Sequence, residues 1–302
     1  MHRYTDLRPG LLVRRYRFTH FQEEEMFRRC IILAVLVWFG SKAVVAQSGF
    51  SRSWESRVRA TSARQPAWVV PVVSPSAVIV QLARFDVMHQ YTSNHAEAWN
   101  YGGGKGINLI PFARTEIDLN LPAYIEHNSA TLRDGTSDFS VVAKYRMFAA
   151  AEGGNYSTAA QVAFSVPTAS YKNGTAVSTI TPAIIGGKGF GRLALQSGLG
   201  ATLPTSSSYQ LGRTVAWNSV AQYRVGKYFW PEIEANASYF HGGPNDGKSQ
   251  VFVTPGIMVS KVRLRSNPGS RLGLVFGSGM QIATSHYHSY DHNLIVTGRL
   301  TF

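Results

Sequence analysis

Residues 292–302 read His-Asn-Leu-Ile-Val-Thr-Gly-Arg-Leu-Thr-Phe, and the alternation in this stretch decides the fold. His292, Leu294, Val296, Gly298, Leu300 and Phe302 share one face of an extended chain. Asn293, Thr297, Arg299 and Thr301 share the other, with Ile295 the one residue out of place. Successive side chains of a strand point to opposite sides, so this segment is a strand with one apolar and one polar face. A barrel wall between lipid and a polar lumen needs strands of this kind.

The pattern recurs upstream. Val215, Trp217, Ser219, Ala221 and Tyr223 alternate with Thr214, Asn218, Gln222 and Arg224, and Leu193, Leu195, Leu199 and Leu203 alternate with Arg192, Gln196 and Thr202. Ile233, Ala235, Ala237 and Tyr239 oppose Glu232, Glu234, Asn236 and Ser238, while Val141, Ala143, Tyr145 and Met147 oppose Lys144 and Arg146. Ten strands are predicted, at about 112–121, 138–149, 156–167, 177–186, 190–203, 212–225, 228–240, 250–263, 271–284 and 290–302. Short turns are expected at Gly153-Gly154-Asn155, Gly187-Lys188-Gly189, Gly226-Lys227 and Asn267-Pro268-Gly269. Mostly longer loops, such as 122–137, 168–176 and 241–249, separate them. That parity fits an even-stranded, up-and-down antiparallel transmembrane barrel with short periplasmic turns and longer external loops. Residues 77–92 add either a further strand pair, making twelve, or an internal plug. A lipocalin-like soluble barrel would reverse the faces and is the lesser reading.

Composition agrees. Of 302 residues, 44% are hydrophobic, with 28 glycines and 12% aromatics, a mixture that favours strands and turns. No run of 18 apolar residues follows Gln47, so no spanning helix is expected. The net charge of +13 accompanies no nucleic-acid recognition motif, and no nucleic-acid partner is expected.

The N-terminus reads as an export signal over 26–46. Met26-Phe27-Arg28-Arg29 is basic, Ile31 to Phe39 is apolar, and Val44-Val45-Ala46 precedes a cleavage site. Residues 1–25 read as a gene-model extension, 47–76 as a disordered periplasmic lead-in, and 77–302 as the barrel. Cys30, the single cysteine, falls within the signal and leaves a thiol-free mature chain suited to an oxidising compartment.

Several segments carry a family resemblance: Ser165-Val166-Pro167-Thr168, Gly186-Gly187-Lys188-Gly189, Trp217-Asn218, Tyr228 through Glu234, and Thr254-Pro255-Gly256. Over roughly residues 100 to 302 the chain resembles bacterial outer-membrane barrel transporters of the MetA pathway of phenol degradation, although Ala169 stands where that pattern has glycine. The resemblance implies an outer-membrane location and passage or binding of small, hydrophobic solutes.

The predicted lumen carries both signs: Glu116, Asp118, Glu232 and Glu234 against Lys144, Arg146, Arg192, Arg224 and Arg299. These are the expected solute-contacting residues, forming either a selective constriction or a packed set of ion pairs. Ser285, His286, His288, Asp291 and His292 raise a hydrolytic alternative at the outer rim, but no nucleophile motif surrounds them. Gly102-Gly103-Gly104-Lys105-Gly106 lacks phosphate-loop spacing, and Gly242 to Gly247 lacks the carboxylates of a calcium loop. No enzyme activity, cofactor or metal is therefore expected. Tyr228, Phe229 and Trp230 are placed at the periplasmic interface, and Tyr239 and Phe240 at the outer one. The partners expected are outer-membrane lipid, a small solute, and the barrel-assembly machinery acting through the last strand and Phe302. A mainly structural surface barrel, monomeric in either case, is the remaining alternative.

Overall fold

The computed structural model describes residues 49–92, 96–129, 131–151, 154–267 and 270–302. Its strands, in chain order, are β1 (Leu82–Tyr91), β2 (Glu97–Gly102), β3 (Gly106–Phe112), β4 (Thr115–Asn120), β5 (Tyr124–Asn128) and β6 (Gly135–Thr136). There follow β7 (Phe139–Ala150), β8 (Tyr156–Val166), β9 (Thr179–Phe190), β10 (Leu193–Pro204) and β11 (Arg213–Tyr223). The last four are β12 (Phe229–His241), β13 (Ser249–Arg263), β14 (Gly273–Ala283) and β15 (His292–Thr301). All neighbours are antiparallel, and β15 pairs with β1 from Leu82↔Thr301 to Tyr91↔His292, which closes the wall.

Three pairs of these segments are halves of kinked strands. β1 meets β2 along one half and β3 along the other, β2 and β3 pair with β5 and β4, and these pair with β6 and β7. The closed wall therefore has twelve strands. The kink lies at the glycine run: Asp86 faces Gly102 but Ala83 faces Ile107, so the second strand carries extra residues there. Gly102, Gly103 and Gly104 take positive φ values of 106, 60 and 60, and a Cβ on Gly103 would meet the Asp86 Cβ at 2.7 Å. Only glycine holds this bulge without strain.

All ten predicted strands are present with shifted ends, and the count of ten is corrected to twelve by β1 and the β2–β3 strand. The latter escapes a pattern search because its alternation breaks at the bulge. The turn predicted at Gly187-Lys188-Gly189 lies inside β9; the chain reverses instead after Gly191, whose φ is +60. The expected signal at 26–46 and the segment before it lie outside the described residues.

Large apolar side chains stud the outer wall, among them Phe112, Phe148, Ile184, Leu199, Trp217, Ile233 and Val296. Barrel closure leaves no unpaired edge, the requirement for crossing hydrocarbon with strands. Both chain ends of the barrel share one end. The turns there are mostly short, as at 113–114 and 191–192, whereas 167–178, 205–212 and 284–291 form longer loops opposite. The former is the periplasmic, inner end, and the latter the outer end.

The lead-in is not disordered where it is described. Helix α1 (Gly49–Ala63) leads into an irregular strap, residues 66–81, whose Val72, Ala77, Val78 and Ile79 are almost wholly buried. Trp54–Phe302 form one compact unit. Within it, Val58 packs on Ile79 and Ile110 while the strap packs on inward-facing Ile185, Trp230, Met258, Val275 and Ile295. The misplaced Ile295 is thus explained, because it faces an apolar strap rather than water.

Candidate functional site

A chain segment crossing a lumen without a sheet partner must satisfy its backbone groups through side chains. The inward faces of the wall supply them. Glu232 Oε1 accepts the Val72 N–H at 2.9 Å, and the two oxygens of Glu234 accept Val73 and Ser74 N–H at 2.8 and 2.5 Å. Gln196 Oε1 accepts the Ala77 N–H at 2.9 Å, and Glu116 accepts that of Val80. Carbonyls are met as well: Arg299 donates to Val70 and Pro71, Arg84 to Val72, and Ser157 to Ala77. Gln65 closes the strap's far end through both the N–H and the carbonyl of Ile79.

Arg146 anchors the helix rather than the lumen centre, donating to the Thr61 carbonyl and Gln65 Oε1, both at 2.8 Å. Lys144 pairs with Glu116 at 2.5 Å, and Arg84 pairs with Asp86 at 2.7 Å. Beside the strap, on the β1 to β8 side, lies a polar cavity of about 260 Å³ bounded by Arg84, Lys105, Glu116, Asp118, Lys144 and Gln161. The described interior balances five cations (Arg84, Lys105, Lys144, Arg146, Arg299) against five carboxylates (Asp86, Glu116, Asp118, Glu232, Glu234).

Seven of the nine expected lumen residues are brought together in this way. Arg192 and Arg224 are not: both lie beyond the strand ends, exposed at the inner rim, where Arg224 N–H meets the Arg192 carbonyl. Their alternation with β10 and β11 held in register, but the strands stop one residue short of each. Arg84, Asp86 and Lys105 are additional members. The first two were visible as the polar face of Leu82, Arg84, Asp86, Met88 and Gln90; Lys105 was hidden by the bulge. Trp230 and Phe240 are likewise corrected: Trp230 points into the strap's core, and Phe240 is half-buried with its ring edge-on to Tyr287 at 5.8 Å. Tyr228, Phe229 and Tyr239 remain outward-facing.

Toward the outer end the inward residues of β9 to β11 become small, and a cavity of about 750 Å³ opens among Val177, Thr179, Thr202, Pro204, Leu211 and Thr214. One wall is the 167–178 loop, which Asp138 fastens by accepting Ala169 N–H at 3.0 Å and Thr175 N–H at 2.7 Å. The result is an outer vestibule, apolar with hydroxyl groups, above a strapped lumen.

The Ser285, His288 and Asp291 group does not form a proton relay. His288 uses Nδ1 on the Ser285 carbonyl at 2.9 Å and Nε2 on Asp291 at 2.8 Å, while Ser285 Oγ donates to Tyr287 O and accepts from Val251 N–H. No imidazole nitrogen is left for the serine hydroxyl. The two acceptors favour the imidazolium and raise its pKa, the Ser285 bond contributing most. Among the described residues, no cluster of three His, Cys, Asp or Glu side chains is arranged to hold a metal.

A closed twelve-stranded wall, an apolar belt and a lumen threaded by the chain's own N-terminal strap define an outer-membrane β-barrel. A family described as "Putative MetA-pathway of phenol degradation" matches residues 76–261, more than half of the chain, and the protein belongs to it. Among curated proteins none matches. The structure is similar to the NanC porin, at 10% identity over 72% of this chain and 98% of that one, with a TM-score of 0.47. It is also similar to an outer membrane channel from Pseudomonas putida F1, at 14% identity over 78% and 100%, TM-score 0.47. The KdgM porin is similar at 12% identity over 72% and 99%, TM-score 0.39.

Proposed function

We propose that the barrel passes small, hydrophobic solutes bearing a hydroxyl or similar polar group, admitted at the outer vestibule and moved past the strap along the β1 to β8 side. The observation that carries this reading is the vestibule of about 750 Å³. It falls within the size range of small-molecule sites, and its apolar lining with a few hydroxyls suits such a solute. The family's association with phenol degradation is consistent with it. Glu116, Asp118, Lys144, Glu232, Glu234 and Arg299 then act chiefly by holding the strap and shaping the residual path, and contact solute only beside Glu116, Asp118 and Lys144.

The test is conductance of the folded full chain in planar bilayers. Small steps are expected, reduced by phenol-type solutes added on the outer side, and the reduction is expected to vanish in Thr202→Phe, which fills the vestibule. A folded barrel that conducts neither as it stands nor after strap release by Glu234→Ala would instead support a structural surface role.

Two further readings belong here. Residues 26–46 act as the export signal, checked by N-terminal sequencing of the mature protein. The last strand, ending on Phe302, addresses the chain to the barrel-assembly machinery; deleting Phe302 is expected to lower the assembled fraction in cells without changing synthesis.

A further inference from the structure

The strongly basic character of the chain has a definite location. The interior is balanced, and among the described residues the outer end carries Arg133, Lys172, Arg213 and Lys248 against six carboxylates. Among the described residues the excess positive charge lies at the inner end. Arg114 sits in the β3–β4 turn, Arg192 in the β9–β10 turn, Arg224 and Lys227 in the β11–β12 turn, and Arg263 and Arg265 at and after the end of β13; all six are exposed. Helix α1 adds Arg57, Arg59 and Arg64 beneath the same end, where Thr61 Oγ1 donates to Ala113 O and Arg271 reaches Ser62. Glu55, paired with Arg59 at 3.5 Å, is the one acidic side chain found there among the described residues.

These bases follow the circumference, carried by four of the five inner turns, rather than gathering at the pore mouth. They also lie level with outward-facing aromatics. Phe112, Phe190, Tyr223 and Phe229 are exposed at the same strand ends, Lys188 Nζ is 5.7 Å from the Tyr156 ring, and Lys227 Nζ is 5.0 Å from that of Tyr228. Aromatics mark the depth of the membrane–water interface, so the adjacent cations stand at the level of lipid phosphates. Exposed like charges in such density repel one another unless an anionic partner screens them.

We infer that the inner rim is a binding surface for anionic phospholipid headgroups of the periplasmic leaflet, with Arg192, Arg224 and Lys227 as its principal contacts. The contact fixes the barrel's depth and holds the turns and helix α1 against the membrane. An acidic protein docking from the periplasm would call for a patch centred on the helix; the circumferential placement and the flanking aromatics favour lipid.

The test compares the full-length barrel in neutral detergent titrated with phosphatidylglycerol or phosphatidylcholine, reading the unfolding temperature by heat-modifiable gel shift and bound lipid by native mass spectrometry. Preferential retention of phosphatidylglycerol with an upward shift in unfolding temperature is expected, weakening as salt rises. Each Lys or Arg at an anionic surface is worth about a fivefold preference, so Arg192→Gln with Arg224→Gln and Lys227→Gln should lose more than about tenfold. Arg133→Gln with Lys172→Gln, at the outer end, should keep the preference. Equal retention of both lipids, or a preference untouched by the triple change, overturns the proposal. So does stabilisation by free glycerol phosphate at matched phosphate, which would indicate a simple anion site, or by an acidic peptide alone, which would indicate a protein partner.

Discussion

At the residue scale, one carboxylate shows how the lumen is held. Glu234 is 1% exposed and accepts two consecutive strap N–H groups. Removing it leaves two donors without partners, each costing about 1–3 kcal/mol when buried. Glu234→Ala is therefore expected to free the middle of the strap and raise single-channel conductance, while the wall, whose ladder is untouched, keeps its heat-modifiable band. Lys144→Met differs in kind, because it strands the fully buried Glu116; losing one partner of such a pair costs about 3–5 kcal/mol, and a lowered unfolding temperature should follow. His288 supplies a pH dependence. Its pKa is raised in the folded loop, so its contribution is complete below the ordinary value of 6.5 and is lost as pH rises through the folded-state value. Amide protection in residues 284–291, taken as the exchange rate relative to the intrinsic rate at each pH, is accordingly expected to be greater at about pH 5.5 than at about pH 8.5. In His288→Gln that difference should disappear; its persistence would show that another group governs the loop.

At the scale of elements, the strap and β9 are fitted to each other. Gly187 leaves room for Trp68, whose ring would lie 2.6 Å from a Cβ placed there. A bulky Gly187→Leu is expected to expel Trp68 and loosen the strap while β9 keeps its ladder to β8 and β10. Limited proteolysis should then cut between residues 66 and 81 in the variant but not in the parent protein. Cleavage within β9 itself would show that the glycine serves the strand instead. The same fit explains why a Gly-Lys-Gly segment that resembles a turn lies within a strand: its glycines serve packing against an inserted chain, a use that local sequence does not distinguish from turning. The true turn needs only Gly191 in a left-handed conformation, two residues beyond the predicted stretch.

At the scale of the whole molecule, the alternation of the strands determined by itself that this is an outer-membrane barrel. Period-two patterning is a local property, written into ten strands and legible in each, and the closing strand 292–302 states it most clearly. The charged lumen residues Glu116, Lys144, Glu232, Glu234 and Arg299 were legible for the same reason, since their faces follow from parity alone. Strand number was not, because the glycine bulge breaks the period at 102–106. The use of the lumen was decided only by the tertiary structure. Carboxylates lining a channel and carboxylates holding a strap have the same sequence, and the difference is which backbone N–H groups come within reach across some 160 residues of chain. Two signs of the strap were present in the sequence, the apolar run Trp68-Val69-Val70 and the inward Ile295. They acquire meaning only when folding places both on one axis, where each removes the other's apolar surface from water.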